Sequence, residues 1–393
     1  MKKDPWHKAH YSLDWAGRNL GFEVPFDVFS TLRIDEGTLL LLDNLPKGQP
    51  GKILDMGCGY GALGIPVAAL HSDALVEMVD RDLLAVEWSK RNATKNSVKN
   101  VSVYGSLGFE RVQSRDFDWI LCNVPARIGK PFIEHIFSGG LRRLSKNGEI
   151  RAVVIRDLVP VLKEIGIASG YSLNEVASGP RHSVFSLASR VQQVSTGEEE
   201  LQDLYLRDKV EISGVQFERP FDFGGDDPKR IRYSLPLLLD TLPRQMIPGD
   251  VLCVRGGYGV LPYLCSKKWH NARITVFDRD LIGLNFVRRN FDRLGWPTGA
   301  RLVEGWFYPE VIQTGERFDL ITLEISPSAG EAVAQEEITA AATRLKPGGV
   351  LTSVCLDKIW KEWIQSFSKV KTFPIRAMAA RDGFTVFSLE SRN

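Results

Sequence analysis

The chain of 393 residues has few cysteines and no long apolar run. Its five cysteines are scattered without a Cys-x-x-Cys pair, which argues against a disulfide framework and a thiolate zinc site. No apolar stretch approaches the roughly 20 residues of a membrane helix. The lysines at the N-terminus precede no apolar segment, so we expect neither a membrane anchor nor a secretory signal. A reducing, cytoplasmic setting fits these features best.

Charge and histidine patterns exclude further classes of protein. The 50 basic and 48 acidic side chains leave a formal net charge of +2. A strong basic bias, which is typical of nucleic-acid-binding domains, is therefore missing, and any RNA contact would come from a local groove. The six histidines show no metal-ligand spacing, so no metal is expected, and His135 is expected at the surface of a helix.

An internal repeat organises the chain. Residues 52–64 (KILDMGCGYGALG) match residues 250–262 (DVLCVRGGYGVLP) at an offset of 198 positions. Further on, Asp80-Arg81-Asp82 recurs as Asp278-Arg279-Asp280 at the same offset. A unit of this length is too long for a solenoid repeat and predicts two homologous domains in tandem. We place them at residues 1–195 and 210–393, with the boundary in the polar stretch 190–210.

Short apolar runs rich in β-branched residues alternate with helical patterns in both copies. This alternation is typical of a parallel, doubly wound sheet. The sequence therefore predicts an α/β protein made of two tandem doubly wound, Rossmann-like domains.

A glycine-rich turn follows the first predicted strand of the first copy. Gly57, Gly59 and Gly61 allow backbone conformations with positive φ and a close approach to a ligand. Asp55, which precedes them, would repel a pyrophosphate but suits a cationic ligand, so S-adenosylmethionine is favoured over NAD. Asp80 ends the next strand, where it is placed to bind a ribose. The alternative is that the glycines only form a tight turn.

The segment Asn123-Val124-Pro125 follows the apolar run that we predict as the fourth strand. It should face the same crevice as the glycine-rich turn. The Asn123 amide oxygen and the Val124 carbonyl could both accept hydrogen bonds from an –NH2 group and aim its lone pair at a methyl donor. The alternative is a simple turn at the end of a strand, stiffened by Pro125.

Three stretches, residues 27–45, 53–65 and 123–136, together carry a family resemblance. The chain resembles class I S-adenosylmethionine-dependent methyltransferases of the small-domain type, and among these the bacterial small-subunit rRNA guanine-N2 methyltransferases. The resemblance implies that residues 29–30 and 34–38 help to cover the cofactor or substrate, and that the amine is held by Asn123, Val124 and Pro125. It also implies a cofactor site made of Asp55, Gly57, Cys58, Gly59, Gly61, Asp80, Arg81, Ser106 and Asn123.

The sequence departs from the family pattern after Asn123. The family usually has Asn-Pro-Pro followed by an aromatic residue or Ile, whereas this chain has Val124 and Ala126 at two of these positions. Arg127 and Lys130 are candidates for phosphate contacts with the substrate, although solvated loop charges look the same in a sequence. The acidic or Asn residue that the resemblance implies near Ser106, to bind the adenine amino group, is absent, so backbone groups are expected to hold the adenine.

The second copy has lost three of the matching residues. Cys253, Arg255 and Glu324 stand where the first copy has Asp55, Gly57 and Asn123. Arg255 would bring a positive charge toward a sulfonium, which is unfavourable. We therefore expect residues 210–393 to form a degenerate, non-catalytic domain that binds RNA or supports the first.

These features together predict an S-adenosylmethionine-dependent N-methyltransferase. Its expected acceptor is an exocyclic base amine of RNA, with guanine N2 of rRNA as the leading candidate. Two alternatives stay open at this stage. One is a methyltransferase for a protein glutamine amide or a small molecule, and the other is a non-catalytic, RNA-binding scaffold.

Overall fold

The computed structural model describes residues 4–28, 33–188, 204–221, 234–308, 312, 315–365, 367 and 374–391. The chain divides into two compact units. The N-terminal unit is Lys8–Arg207, and the C-terminal unit is Asp208–Asn393 together with Met1–His7. Most of the predicted boundary region falls on residues 189–203, which lie outside the described residues. No helix within the described residues is long and apolar enough to cross a membrane.

Within the described residues, the N-terminal unit combines a hairpin with a seven-stranded sheet and five α-helices. The hairpin consists of β1 (His7–Trp15) and β2 (Arg18–Pro25). The sheet strands are β3 (Lys52–Met56), β4 (Leu75–Asp80), β5 (Val101–Gly105), β6 (Phe117–Asn123), β7 (Leu144–Ile155), β8 (Asn174–Ser178) and β9 (His182–Ala188). The helices are α1 (Glu36–Leu42), α2 (Gly64–Leu70), α3 (Leu83–Lys95), α4 (Lys130–Leu141) and α5 (Val159–Ser169).

The C-terminal unit repeats this plan. Its hairpin is β10 (Leu206–Ile212) with β11 (Val215–Pro220). Its sheet strands are β12 (Asp250–Val254), β13 (Arg273–Asp278), β14 (Arg301–Glu304), β15 (Phe318–Glu324), β16 (Leu345–Leu356), β17 (Ile375–Arg381) and β18 (Phe384–Glu390). The helices are α6 (Leu235–Thr241), α7 (Val260–Lys268), α8 (Leu281–Leu294) and α9 (Glu331–Thr343), and residues 357–364 form a short helical segment.

The two sheets share one topology. The strand order is β5-β4-β3-β6-β7-β9-β8 in the N-terminal unit and β14-β13-β12-β15-β16-β18-β17 in the C-terminal unit. The first five strands of each order pair in parallel, and the last two pair antiparallel. The predicted α/β architecture of two tandem doubly wound domains is confirmed.

The middle parts of the central strands are largely apolar because helices cover both faces of a parallel sheet. Ile53 and Leu54 in β3, like Ile120 and Leu121 in β6, are fully buried. The strand order changes direction between β3 and β6, and such a switch point opens a crevice at the carboxyl ends of the two strands. Met56 pairs with Cys122 across these strands, so the glycine-rich turn begins beside Asn123.

Candidate active site

The glycine-rich turn connects β3 to α2 and contains three glycines with positive φ. The φ angles of Gly57, Gly59 and Gly61 are 78°, 56° and 95°. A Cβ atom at Gly57 or Gly59 would meet no other atom within 4 Å, so the backbone there borders open space. A Cβ atom at Gly61 would lie 2.4 Å from Cδ1 of Ile65, so this glycine is needed for packing. The first two glycines therefore leave room for a ligand.

Asp55 lies buried under this turn. Its side chain is fully buried, and no described residue makes a hydrogen bond of normal geometry to either carboxylate oxygen. Burial raises its pKa to about 7, the backbone N–H of Gly64 opposes the rise, and the charge of Asp80 adds to it. An unpaired buried carboxylate is costly, and a cationic group in the crevice would relieve that cost. The site therefore suits the ammonium and sulfonium of S-adenosylmethionine.

Asp80 holds the turn in place from the end of β4. One of its carboxylate oxygens accepts a hydrogen bond from the N–H of Gly59 at 2.9 Å, and the other accepts one from the N–H of Asp82 at 2.9 Å. A carboxylate oxygen can accept more than one hydrogen bond. Arg81 follows directly and is half-buried. The roles of Asp80 and Arg81 in cofactor binding stay predictions.

Cys58 and Ser106 both use their side chains within the fold. The Cys58 thiol is buried 3.6 Å from the Ser89 hydroxyl, and its pKa lies well above the usual value because of burial and the nearby carboxylates. The Ser106 hydroxyl donates to the carbonyl of Gly108 at 2.9 Å and accepts from the N–H of Arg111 at 3.0 Å. The fold thus uses both side chains, and the roles of Cys58 and Ser106 in cofactor binding stay predictions.

Asn123 at the end of β6 is oriented by the start of α1. Its Nδ2 donates to Oδ2 of Asp35 at 2.9 Å and to Oγ1 of Thr38 at 3.0 Å. Asp35 also caps α1, where it accepts from the N–H groups of Gly37 and Thr38. Both amide hydrogens of Asn123 are therefore engaged, and Oδ1 is left as an acceptor.

Sequence reasoning placed residues 34–38 near the ligand but missed this link to Asn123. The pattern of an Asp before an apolar helix could have indicated the helix cap. It could not have indicated a contact with a residue 88 positions away. Residues 29–30, which were expected to share the covering role, lie outside the described residues.

The turn after Asn123 has one buried residue, Val124, and exposed residues after it. The N–H of Val124 donates to the carbonyl of Val153 at 2.9 Å, and the Val124 side chain is buried. The hydrogen bond and the buried side chain of Val124 hold the turn in place, at the position where the family pattern usually has a proline. Pro125 and Arg127 are exposed, and Lys130 forms a 2.6 Å ion pair with Glu164.

His135 is buried, so the expectation of an exposed position was wrong. Its ring lies 5.3 Å from the Phe109 ring and 6.4 Å from the Phe132 ring, measured between centroids. Only 4% of its surface is exposed. The inward face of α4 is apolar, and the aromatic neighbours cover the imidazole there.

In the C-terminal unit, an ion pair lies beside the equivalent glycine-rich turn. Arg255, at the position of Gly57, has a φ of 56°. Its guanidinium donates to the backbone carbonyl of Glu324 at 2.5 Å and to Oε1 of Glu337 at 2.5 Å. Glu337 lies on α9 and is only 2% exposed. This side chain spans the gap between the glycine-rich turn and the end of β15.

The family model for the methyltransferase small domain matches residues 19–165 and 229–388, one match in each unit. The chain belongs to this family. It is a methyltransferase, and the predictions of its family, its enzyme class and S-adenosylmethionine as its cofactor are confirmed with this assignment.

Two related proteins each align with less than half of the chain. An uncharacterized Bacillus subtilis protein, YbxB, is 35% identical over 150 residues, which are 38% of this chain and 75% of that protein. Ribosomal RNA large subunit methyltransferase G of Shewanella pealeana is 34% identical over 140 residues. That alignment covers 33% of this chain and only 34% of the Shewanella protein.

One solved structure matches along nearly the whole chain. It is the T. thermophilus 16S rRNA N2 guanosine methyltransferase, in complex with AdoMet and guanosine. The two chains superpose with a TM-score of 0.68 over 99% of each, at 19% sequence identity. The likeness establishes a common two-unit fold.

Proposed function

We propose that the N-terminal unit methylates an exocyclic amine of a base in ribosomal RNA, with guanine N2 as the acceptor. The observation that carries this proposal is the orientation of Asn123. Its NH2 group is bound by Asp35 and Thr38, so its oxygen remains to accept a hydrogen bond from an amine. This oxygen lies at the strand end beside the glycine-rich turn.

The residues of the chain act by positioning. S-adenosylmethionine, when bound, supplies an electrophilic methyl group on a sulfonium. Asp55 balances positive charge under the turn, and Asp80 is placed to hold the ribose. Oδ1 of Asn123 and the carbonyl of Val124 accept the two N–H groups of a planar amine and turn its lone pair toward the methyl group. Positioning of this kind accelerates transfer without a strong base acting before the attack.

The names of similar proteins support an RNA substrate. The structurally similar T. thermophilus enzyme acts on N2 of a guanosine in 16S rRNA, and the Shewanella relatives are named for the large ribosomal subunit. We favour small-subunit rRNA because the T. thermophilus enzyme shares both units with this chain, whereas the Shewanella alignment covers about a third of each protein. The C-terminal unit, with Arg255 across its glycine-rich turn, is proposed to be non-catalytic.

Mass spectrometry of rRNA nucleosides from cells with and without the gene tests this function directly. We expect loss of one N2-methylguanosine from small-subunit rRNA, and its return with the wild-type gene. Purified enzyme should methylate rRNA from the deletion strain. Methylation of a protein glutamine amide instead, with unchanged rRNA nucleosides, would contradict the proposal.

The variant Asn123→Ala tests the role of the amide. We expect turnover to fall by about 100-fold, since a misplaced substrate can lose that much rate. The Kd for S-adenosylmethionine should change less than about twofold, because the loss affects the transition state rather than cofactor binding. The exposed Asn147 offers a matched Asn→Ala control that should keep full activity.

A further inference from the structure

Four basic residues from three segments lie at the edge of the sheet that carries Asn123. Arg127 and Lys130 follow β6, Arg156 follows β7, and Arg181 precedes β9. Because β9 is antiparallel to β7, its beginning lies at the same edge as the end of β7. The N–H of Arg156 donates to the carbonyl of Arg181 at 2.9 Å, so these two residues are direct neighbours. We call the four residues the basic rim.

The basic rim is continuous with the proposed amine site. Asn123 is in register with Val153 of β7, and Arg156 lies three residues further on, about 10 Å along the strand direction. On the other side, a Cβ atom on Gly37 would lie 2.9 Å from Cδ2 of His182, the residue after Arg181. Gly37 belongs to the turn of α1 that is capped by Asp35 and linked to Asn123.

Three of the four cations are available to a ligand. Arg127, Arg156 and Arg181 are exposed, and none of them forms an ion pair within the described ranges of the chain. The Arg156 side chain donates only to the hydroxyl of Ser178, at 3.0 Å. A guanidinium presents a planar set of donors that matches a phosphate group. Only Lys130 is already paired, with Glu164.

The C-terminal unit has the same fold, so its equivalent positions show whether the fold itself requires the basic residues. Its equivalent positions carry Ser328, Glu331, Asp357 and Gly383. The backbone is the same at both places: the N–H of Asp357 donates to the carbonyl of Gly383 at 2.9 Å, as Arg156 donates to Arg181. The fold therefore does not need the arginines. At these four positions the N-terminal unit, which keeps Asn123, carries four positive charges. The C-terminal unit, which has lost this asparagine, carries two negative charges there.

We propose that Arg156 and Arg181, together with Arg127, bind the phosphates of the RNA strand next to the target nucleotide. This inference rests on the proposed function, since the rim is placed to hold the nucleotides that flank a base reaching Asn123. A base can reach that depth only when it is unstacked, which leaves its neighbouring phosphates at the rim of the crevice. Phosphate contacts of this kind position a substrate without reading its sequence.

The test is the double variant Arg156→Gln/Arg181→Gln, with Arg18→Gln/Lys146→Gln as a control of equal charge change. Arg18 begins β2 and Lys146 lies near the beginning of β7, and both are exposed. Binding of a labelled single-stranded oligoribonucleotide is followed by fluorescence anisotropy across a series of salt concentrations. Methylation of rRNA from the deletion strain gives kcat and KM, and calorimetry gives the Kd for S-adenosylmethionine.

We expect the rim variant to raise the Kd for the oligoribonucleotide and the KM for rRNA by about tenfold, with kcat and cofactor Kd within about twofold. The slope of log Kd against log salt should fall by about 0.7 for each phosphate that the variant no longer binds. The control variant should match the wild type. The proposal would be overturned if both variants raised the Kd for the oligoribonucleotide equally, or if the rim variant left the salt slope unchanged. It would also be overturned if polyglutamate displaced the labelled oligoribonucleotide as well as unlabelled RNA does.

Failure of the rim and failure of the proposed function give different results. If the wild type methylates rRNA and the rim variant keeps its KM, only the rim proposal is wrong. If the wild type binds the oligoribonucleotide through the rim but methylates a protein instead, the proposed function is wrong and the phosphate site stands. If the wild type does not bind the oligoribonucleotide, the rim proposal is wrong whatever the acceptor.

Discussion

A carboxamide can present either its oxygen or its NH2 group to a substrate, and Asp35 decides which one Asn123 presents. A carboxylate at this position can only accept hydrogen bonds, so the NH2 group of Asn123 must face it. Thr38 binds the second hydrogen from the same helical turn. One capping residue thereby stabilises α1 and fixes the chemistry of the neighbouring strand end.

The variant Asp35→Ala should therefore lower kcat by about 10- to 100-fold while the Kd for S-adenosylmethionine changes little. It should also lower the free energy of unfolding by about 1 kcal/mol, because α1 loses its cap. Asp35→Asn separates the two effects, since Asn is a good cap but can also turn its own NH2 group toward Asn123. Steady-state kinetics that give a wild-type kcat for Asp35→Ala would contradict the positioning role.

The raised pKa of Asp55 predicts how cofactor binding depends on pH. The cationic ligand favours the ionised carboxylate, and in the free protein this group titrates at about 7. Affinity for S-adenosylmethionine should rise by up to tenfold per pH unit below 7 and level off above it. Calorimetry from pH 5.5 to 8.5, that is about 1.5 pH units on either side of the pKa, measures this rise. In Asp55→Asn the affinity should be lower and this dependence should disappear.

The same group affects the stability of the free protein in the opposite sense. Its pKa in the folded state lies above its unfolded value of 3.8, so the folded state holds more protons between the two values. Stability is then lost as the pH rises from about 4 to about 7. Asp55→Asn should unfold with a weaker pH dependence across that window in urea titrations. A curve identical to that of the wild type would mean that the carboxylate is not desolvated.

At the scale of elements, one buried asparagine in each unit joins the hairpin to the glycine-rich turn. Asn92 of α3 donates to the carbonyls of Glu23 and Tyr60 and accepts from the N–H of Glu23, all at 2.8 Å. Asn290 of α8 makes the same three bonds in the C-terminal unit. Because both copies keep this arrangement, it serves the fold rather than the chemistry.

The pair Asn92→Ala and Asn290→Ala tests that distinction with matched environments. Each variant should lose about 2 kcal/mol of stability, because buried backbone groups lose their partners. Only Asn92→Ala should also weaken S-adenosylmethionine binding, since only that turn borders the proposed site. Thermal unfolding and calorimetry measure the two quantities. If both variants lost S-adenosylmethionine affinity equally, the loss would not come from the glycine-rich turn of the N-terminal unit alone.

The elements that the sequence predicted well are those with short-range signals. A local pattern of residues predicts the strand before Gly57, the helix after Asp82 and the apolar run ending at Asn123. The internal repeat shows the same patterns a second time. The contact between Asp35 and Asn123 depends on the folding of a whole sheet and has no local signal. His135 was placed wrongly because a polar residue on a helix says nothing about the aromatic side chains that cover it.

At the scale of the whole molecule, the duplication separates structural from functional residues. Both units keep the asparagine that joins hairpin and turn, and both keep an Asp that caps the following helix, Asp82 in one and Asp280 in the other. The N-terminal unit alone has Asp55, Asn123 and the basic rim. These particular losses, Asp55, Asn123 and the basic rim, all fall at the proposed site.

The asymmetry predicts that one chain binds one molecule of S-adenosylmethionine. In the C-terminal unit the Arg255 guanidinium repels a cation, and Cys253 replaces the carboxylate that would attract it. The variant Gly57→Arg introduces the same obstacle in the N-terminal unit. It should abolish binding while the protein stays folded, because Arg255 shows that the turn accepts arginine at positive φ.

Calorimetry gives the stoichiometry, and circular dichroism confirms that Gly57→Arg is folded. A stoichiometry of two for the wild type, or one remaining site in Gly57→Arg, would mean that the C-terminal unit binds the cofactor despite its charged pair. Arg255→Gly should not create a second site, since it removes the guanidinium that pairs with buried Glu337 and restores no carboxylate at Cys253. It should lower stability by about 3 kcal/mol instead, the cost of breaking a buried ion pair.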